Sequence, residues 1–149
     1  MYLDCCCYNR PFDDLSQSRV SYESHAILSI LNEALQAGVI ILGSSILNSE
    51  IENIKDLNKQ LNIWALYQSA SVFIPLSDDI EMLAEKIRSK TSIHFNDSLH
   101  LASAEIGKAN FFFTTDDKLI KACKKINLNV SVTNPLDYYM EMMKNENRR

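Results

Sequence analysis

The sequence predicts an α/β domain in which helices cover both faces of a parallel sheet. Short runs that are apolar at every position, such as residues 39–42 and 111–113, read as strands buried on two sides. Between such runs, apolar residues recur every three or four positions, the spacing of amphipathic helices. A parallel strand can be reached only through a crossover, so strand and helix alternating along the chain indicate a parallel sheet. The size fits one core: 149 residues, 46% hydrophobic and 23% charged, leave no surplus for a second domain, and the expected domain is 1–149.

Taken in order, residues 1–6 read as a buried strand, and residues 9–14, with Pro11, as a turn. Ile27, Leu28, Leu31 and Leu35 set a helix over 19–37 that Gly38 stops. A second buried strand follows at 39–42. Ser44 or Ser45 can cap the next helix, striped by Leu47, Ile51 and Ile54. Trp64, Leu66, Tyr67 and Ala70 suggest another, and residues 72–76 a short strand. Ser77 and Asp78 can cap a helix carrying Ile80, Leu83, Ala84 and Ile87, and Asn96 one carrying Leu99, Ala102 and Ile106. The remaining elements are a strand at 111–114, a helix at 117–125, a strand at 129–132 and a helix after Pro135.

No apolar run approaches the roughly 20 residues of a membrane span, and the N-terminus shows no basic segment leading into an apolar one. A cytoplasmic protein is expected. Cys5, Cys6 and Cys7 are contiguous, a spacing that suits neither a disulfide framework nor a zinc site. As strand residues they alternate faces and read as small core side chains. A formal net charge of −4 argues against a sequence-independent coat on nucleic acid, but not against an enzyme whose acids hold a cation.

Open parallel sheets bind ligands beyond the carboxyl ends of their strands, and the acids sort themselves by that rule. Asp4 ends the first strand and Asp116 follows the aromatic strand. Glu50 lies one turn into its helix, and Asp97 in the first turn of another. Four carboxylates on one edge repel one another unless a cation joins them. Mg²⁺ or Mn²⁺, with oxygen ligands and retained waters, suits such a set and suits phosphodiester hydrolysis.

The stretches YLDCCCYNRPFDD, SSILNSEIE, FNDSLHLASAEIGKANFFFTTDDKLIKA and VSVTNP resemble PIN-domain proteins over nearly the whole chain. The resemblance implies a three-layer α/β/α sandwich with a central parallel sheet, and metal-dependent ribonuclease chemistry like that of the toxins of prokaryotic toxin-antitoxin pairs. Position by position, the family's four acids fall on Asp4, Glu50, Asp97 and Asp116, and none is replaced. RNA as substrate, an antitoxin as partner and a homodimer follow from the same resemblance. The doubled acid leaves Asp116 and Asp117 as alternatives for the fourth position. Asp116 is preferred, because Asp117 also serves as an ordinary acid at a helix N-terminus.

Arg10, Thr115 and Lys118 are the candidates for contacts with substrate. Thr114 and Thr115 also read as helix caps. His100 shares a helix face with Asp97, where a proton-transfer role is conceivable, but reads as a packed, hydrogen-bonded histidine. Trp64 with Tyr67 reads as a subunit contact. Two rival functions stand beside the nuclease: a PIN-fold module that binds RNA or protein without cutting, and a thiol-based redox or metal-thiolate protein built on the cysteine triplet.

Overall fold

The computed structural model describes residues 1–148. Its centre is a five-stranded sheet in the order β3-β2-β1-β4-β5, with every pairing parallel. The strands are β1 (Tyr2–Leu3), β2 (Leu42–Ser44), β3 (Val72–Ile74), β4 (Phe111–Phe113) and β5 (Ser131–Thr133). Around them lie α1 (Cys5–Asn9), α2 (Ser18–Gln36), α3 (Ser45–Glu52), α4 (Leu57–Tyr67), α5 (Asp78–Lys90), α6 (Phe95–Ile106), α7 (Asp117–Cys123) and α8 (Pro135–Glu146), with a 3-10 turn at Arg10–Phe12. The architecture is the three-layer α/β/α sandwich expected.

The three phenylalanines of β4 show how the layers form. Alternate side chains of a strand point to opposite faces. Phe111 and Phe113 stack on each other and meet Tyr138 of α8 edge-on, with centroids 4.9 and 5.0 Å away. Phe112 turns the other way and stacks on Tyr2 of β1 at 5.3 Å. On that same side Tyr2 meets His100 of α6. One helical layer therefore contains α2 and α8, which pack together, and the other contains α5 and α6.

β1 lies at the middle of the sheet, and the chain leaves it toward β2 on one side but reaches β4 on the other. That reversal opens a crevice beyond the carboxyl ends of β1 and β4. Asp4 sits there, its N–H donating to the Phe113 carbonyl at 2.9 Å.

Several local expectations change. Residues 5–7 are helical rather than extended, because the Asp4 carboxylate caps α1 by accepting from Cys5 N–H. β2 starts later than expected. Gly38, at φ +67°, ends α2, and the Val39 N–H closes the helix end on the Ala34 carbonyl at 2.8 Å, a Schellman arrangement that takes Val39 out of the strand. β5 is likewise displaced, to 131–133 from 129–132, and α7 is shorter. Ser44 and Ser77 cap their helices as expected. The residue before α6 is His94, not Asn96, and α3 ends before Ile54.

Tyr67 is core, which removes it from a subunit contact. It is 7% exposed, and its hydroxyl accepts the Ser44 N–H at 3.0 Å. The approach requires Gly43, since a Cβ there would collide with the Tyr67 hydroxyl.

Phe112, on β4, is fully buried against Tyr2 of β1. Phe112→Ala is expected to cost about 3–5 kcal/mol, read as a lower urea midpoint with an unchanged slope; a loss below about 1 kcal/mol would mean that the site collapses around the cavity.

Candidate metal centre

Asp4 is the anchor. Its carboxylate is buried, and one oxygen accepts from Cys5 N–H at 2.7 Å while the other accepts from the Thr114 hydroxyl at 2.9 Å. The Cys6 thiol lies 3.4 Å from that second oxygen. Thr114 is fully buried, and its hydroxyl oxygen also accepts Asp116 N–H at 3.2 Å. The residue expected as a possible helix cap instead ties the ends of β1 and β4 together. Asp116 is itself the cap of α7, accepting from the N–H groups of Lys118 and Leu119.

Glu50 reaches the crevice from α3, and His100 from α6. His100 Nε2 lies 3.0 Å from Glu50 Oε2 and 3.8 Å from Asp4 Oδ1. Each of the three offers one donor atom, and those atoms all lie within 4.8 Å of one another. Donors bound to one small ion at about 2.1 Å stand roughly 3–4 Å apart; the two separations from His100 fall in that range, so the trio is close to the spacing of a single cation's donors. Asp97 and Asp116 sit at the rim: burial raises the pKa of Asp97, and Asp4 and Asp116 push it further, with His100 and His94 opposing.

The surroundings supply little positive charge. Among the described residues, no lysine or arginine forms an ion pair with Asp4, Glu50, Asp97 or Asp116. His94, at the exposed start of α6, acts on Asp97, and His100 is buried among these acids. Burial works to lower its pKa, but Glu50, Asp4 and Asp97 hold it above the usual imidazole value. Burial likewise works to raise the pKa of Glu50, and His100, with Cys5 and Asn96, holds it below the usual carboxylate value. Crowded carboxylates and one buried nitrogen, with no lysine or arginine paired to them among the described residues, make a donor set that suits a divalent cation.

The other candidates are placed as follows. Arg10 is a poorer phosphate clamp than its position in the sequence suggests, because its Nε donates to Glu23 at 2.7 Å and one terminal nitrogen to Asp13. Arg19, which sequence reasoning passed over, pairs with Asp117 and Glu23 and donates to the Thr115 carbonyl. Asp117 is thereby turned toward α2, whereas Asp116 acts on Asp97 through its charge. Thr115 is buried; Lys118 is exposed, with no ion pair among the described residues. Burial pushes the thiols of Cys5 and Cys7 well up, so they stay protonated and are poor metal-thiolate donors. An apolar cavity of about 600 Å³, lined by Met1, Ile30, Ala34, Phe111 and Tyr138 among others, opens at the opposite end of the sheet.

A family model described as PIN domain matches residues 21–125. Among solved structures, FitAcB from Neisseria gonorrhoeae is similar in fold: the TM-score is 0.61 at 16% identity, covering 90% of this chain and 96% of that one. No protein with a curated description matches in sequence. No helix among the described residues is long and apolar enough to cross a membrane.

The raised pKa of Asp97 fixes the sign of a stability effect. The folded state holds that proton more tightly than the unfolded chain, so the stability it contributes is full below the unfolded pKa of about 3.9 and is lost as pH rises through the folded value. At pH 7 the ionised carboxylate is a net cost. Without divalent ions, Asp97→Asn is expected to melt a few degrees above the wild type at pH 7, with the gap closing below about pH 4. Equal melting temperatures across that range, by circular dichroism, would show that the crowding is relieved another way.

Proposed function

Because this chain belongs to the PIN domain family, we propose that it is a metal-dependent endoribonuclease hydrolysing RNA phosphodiester bonds, with Asp4, Glu50, Asp97 and Asp116 as the carboxylates of a Mg²⁺ or Mn²⁺ centre. The observation that carries the reading is the convergence of Asp4, Glu50 and His100 within 4.8 Å at the crevice. A divalent cation there would supply the Lewis acidity that makes water nucleophilic at neutral pH and offsets charge building on the attacked phosphate.

The chain's own part is positioning. Asp4 is locked by two hydrogen bonds at a strand end, so its oxygens stay in place when substrate arrives. Glu50 is half-buried and held ionised by His100. Asp97 and Asp116, at the rim, can bind through water or orient the nucleophile. Lys118, exposed beside Asp116, is the free cation best placed to meet a substrate phosphate, with Thr115 beside it.

The same reading makes the protein the toxin of a toxin-antitoxin pair, acting in the cytoplasm as a homodimer, with 1–149 as one domain. Exposed apolar side chains support a protein partner: Val72 and Phe73 on the edge strand β3, and Leu57 and Leu61 on α4. The alternative is a module that binds RNA or protein without cleavage.

Incubation of the protein with a mixed single-stranded RNA pool tests the choice. Cleavage is expected with Mn²⁺ or Mg²⁺ and none with EDTA. Asp4→Asn and Asp97→Asn should each lower the rate by more than the roughly 10–100-fold that loss of an outer partner of a metal ligand costs. RNA bound equally with and without EDTA, and never cut, would give the binding module the lead.

A further inference from the structure

The geometry points to a nitrogen in the coordination sphere: we propose that His100 is a direct ligand through Nε2, giving a mixed nitrogen-oxygen centre that prefers first-row transition ions to Mg²⁺. This rests on the reading of the site as a metal centre and adds to it what the four-carboxylate set lacks.

His100 is 1% exposed, and its Nε2 has no hydrogen-bond partner among the described residues. The Glu50 oxygen lies 3.0 Å away and its charge acts on the ring, but the contact does not meet the geometry of a directed N–H···O bond. A buried polar atom left in that state costs free energy unless something completes it. A cation among the Asp4, Glu50 and His100 donors would do so.

The opposite side of the ring carries the support that a ligating histidine requires. Nδ1 lies 2.6 Å from the Tyr2 hydroxyl, which lies 2.7 Å from the Ser44 hydroxyl, and that oxygen accepts the Leu47 N–H at 3.2 Å. Either atom can donate at both contacts; in the tautomer with Nδ1–H donating to Tyr2 and Tyr2 donating to Ser44, the lone pair of Nε2 is on the side of the carboxylates, which is the state a bound cation would select. Partners of this kind fix tautomer and ring orientation at metal-bound histidines. Tyr2 and Ser44 are themselves fully buried, one on β1 and the other at the end of β2. The imidazole is therefore held by the sheet, not by a mobile loop.

The consequence is selectivity. A site of oxygen donors alone accepts Mg²⁺ and Mn²⁺ alike, whereas imidazole binds transition ions better than it binds Mg²⁺. The competing role for His100 is that of an imidazolium counter-ion, which would leave the nitrogen outside the coordination sphere.

Pulsed electron paramagnetic resonance of Mn²⁺ bound to the wild type separates the two roles without any mutation. Nitrogen modulation is expected, and it should change to the ¹⁵N pattern when the protein is grown with ¹⁵N-labelled histidine. Calorimetry with Mn²⁺ and with Mg²⁺ gives the second readout, in which His100→Gln should weaken Mn²⁺ by about tenfold or more while changing Mg²⁺ far less. Bound Mn²⁺ with no histidine nitrogen coupling overturns the proposal and leaves the carboxylate centre standing. Failure of both ions to bind the wild type overturns the centre and this proposal together.

Discussion

A buried carboxylate must have its hydrogen bonds satisfied inside a fold, and Asp4 imposes that condition on the whole molecule. Its two oxygens are met from two directions, by the start of α1 and by Thr114 at the end of β4. Neither partner is available unless β1 lies beside β4, and that neighbourhood is what makes the crevice. The helix begun by Asp4 also carries Cys5 and Cys7 into the core. One side chain thus sets a strand end, a helix start and a donor position.

Support for the site comes through the sheet. Tyr2 stacks on Phe112 and holds His100, Ser44 holds Tyr2, and Tyr67 in turn accepts the Ser44 N–H. These residues come from β1, β4, α6, the end of β2 and α4, so movement of the His100 ring has to displace packed aromatic rings. Interiors packed to crystal density resist such displacement. A donor held this way is positioned by the fold itself, which is the preorganisation a metal centre needs.

Charge is arranged with the same economy. Glu23, 1% exposed, accepts from Arg10, Arg19 and Asn134, and Arg19 continues to Asp117. The arginines nearest the acidic edge are thereby committed to other acids. Among the described residues no lysine or arginine pairs with the carboxylates of the crevice, which are left to His100, to His94 at Asp97, and to whatever enters from solvent. Stability is forgone there, and a core as apolar as that around Phe112 and Tyr2 can sustain the loss.

By itself the sequence determined the fold class and the places where acids meet strand ends. Such patterns are local: the apolar run FFF survives as β4, and the helix expected over 19–37 forms as α2, but Leu28 and Leu35 of its expected stripe are exposed, and so are Val39 and Ile40 of the run before β2. The positions of Asp4, Glu50, Asp97 and Asp116 relative to those elements were legible for the same reason. What lay beyond local pattern went differently. The cysteine triplet became helical because Asp4 caps it, Thr114 became a bridge instead of a cap, and Arg10 was taken by Glu23, 13 residues along the chain. His100 reads in sequence as an ordinary packed histidine, and half of that is right, since Nδ1 is bonded. Only the tertiary structure decided that Nε2 should face Glu50 and Asp4, because the three lie on different elements, and their approach depends on strand order and helix packing that no local spacing encodes.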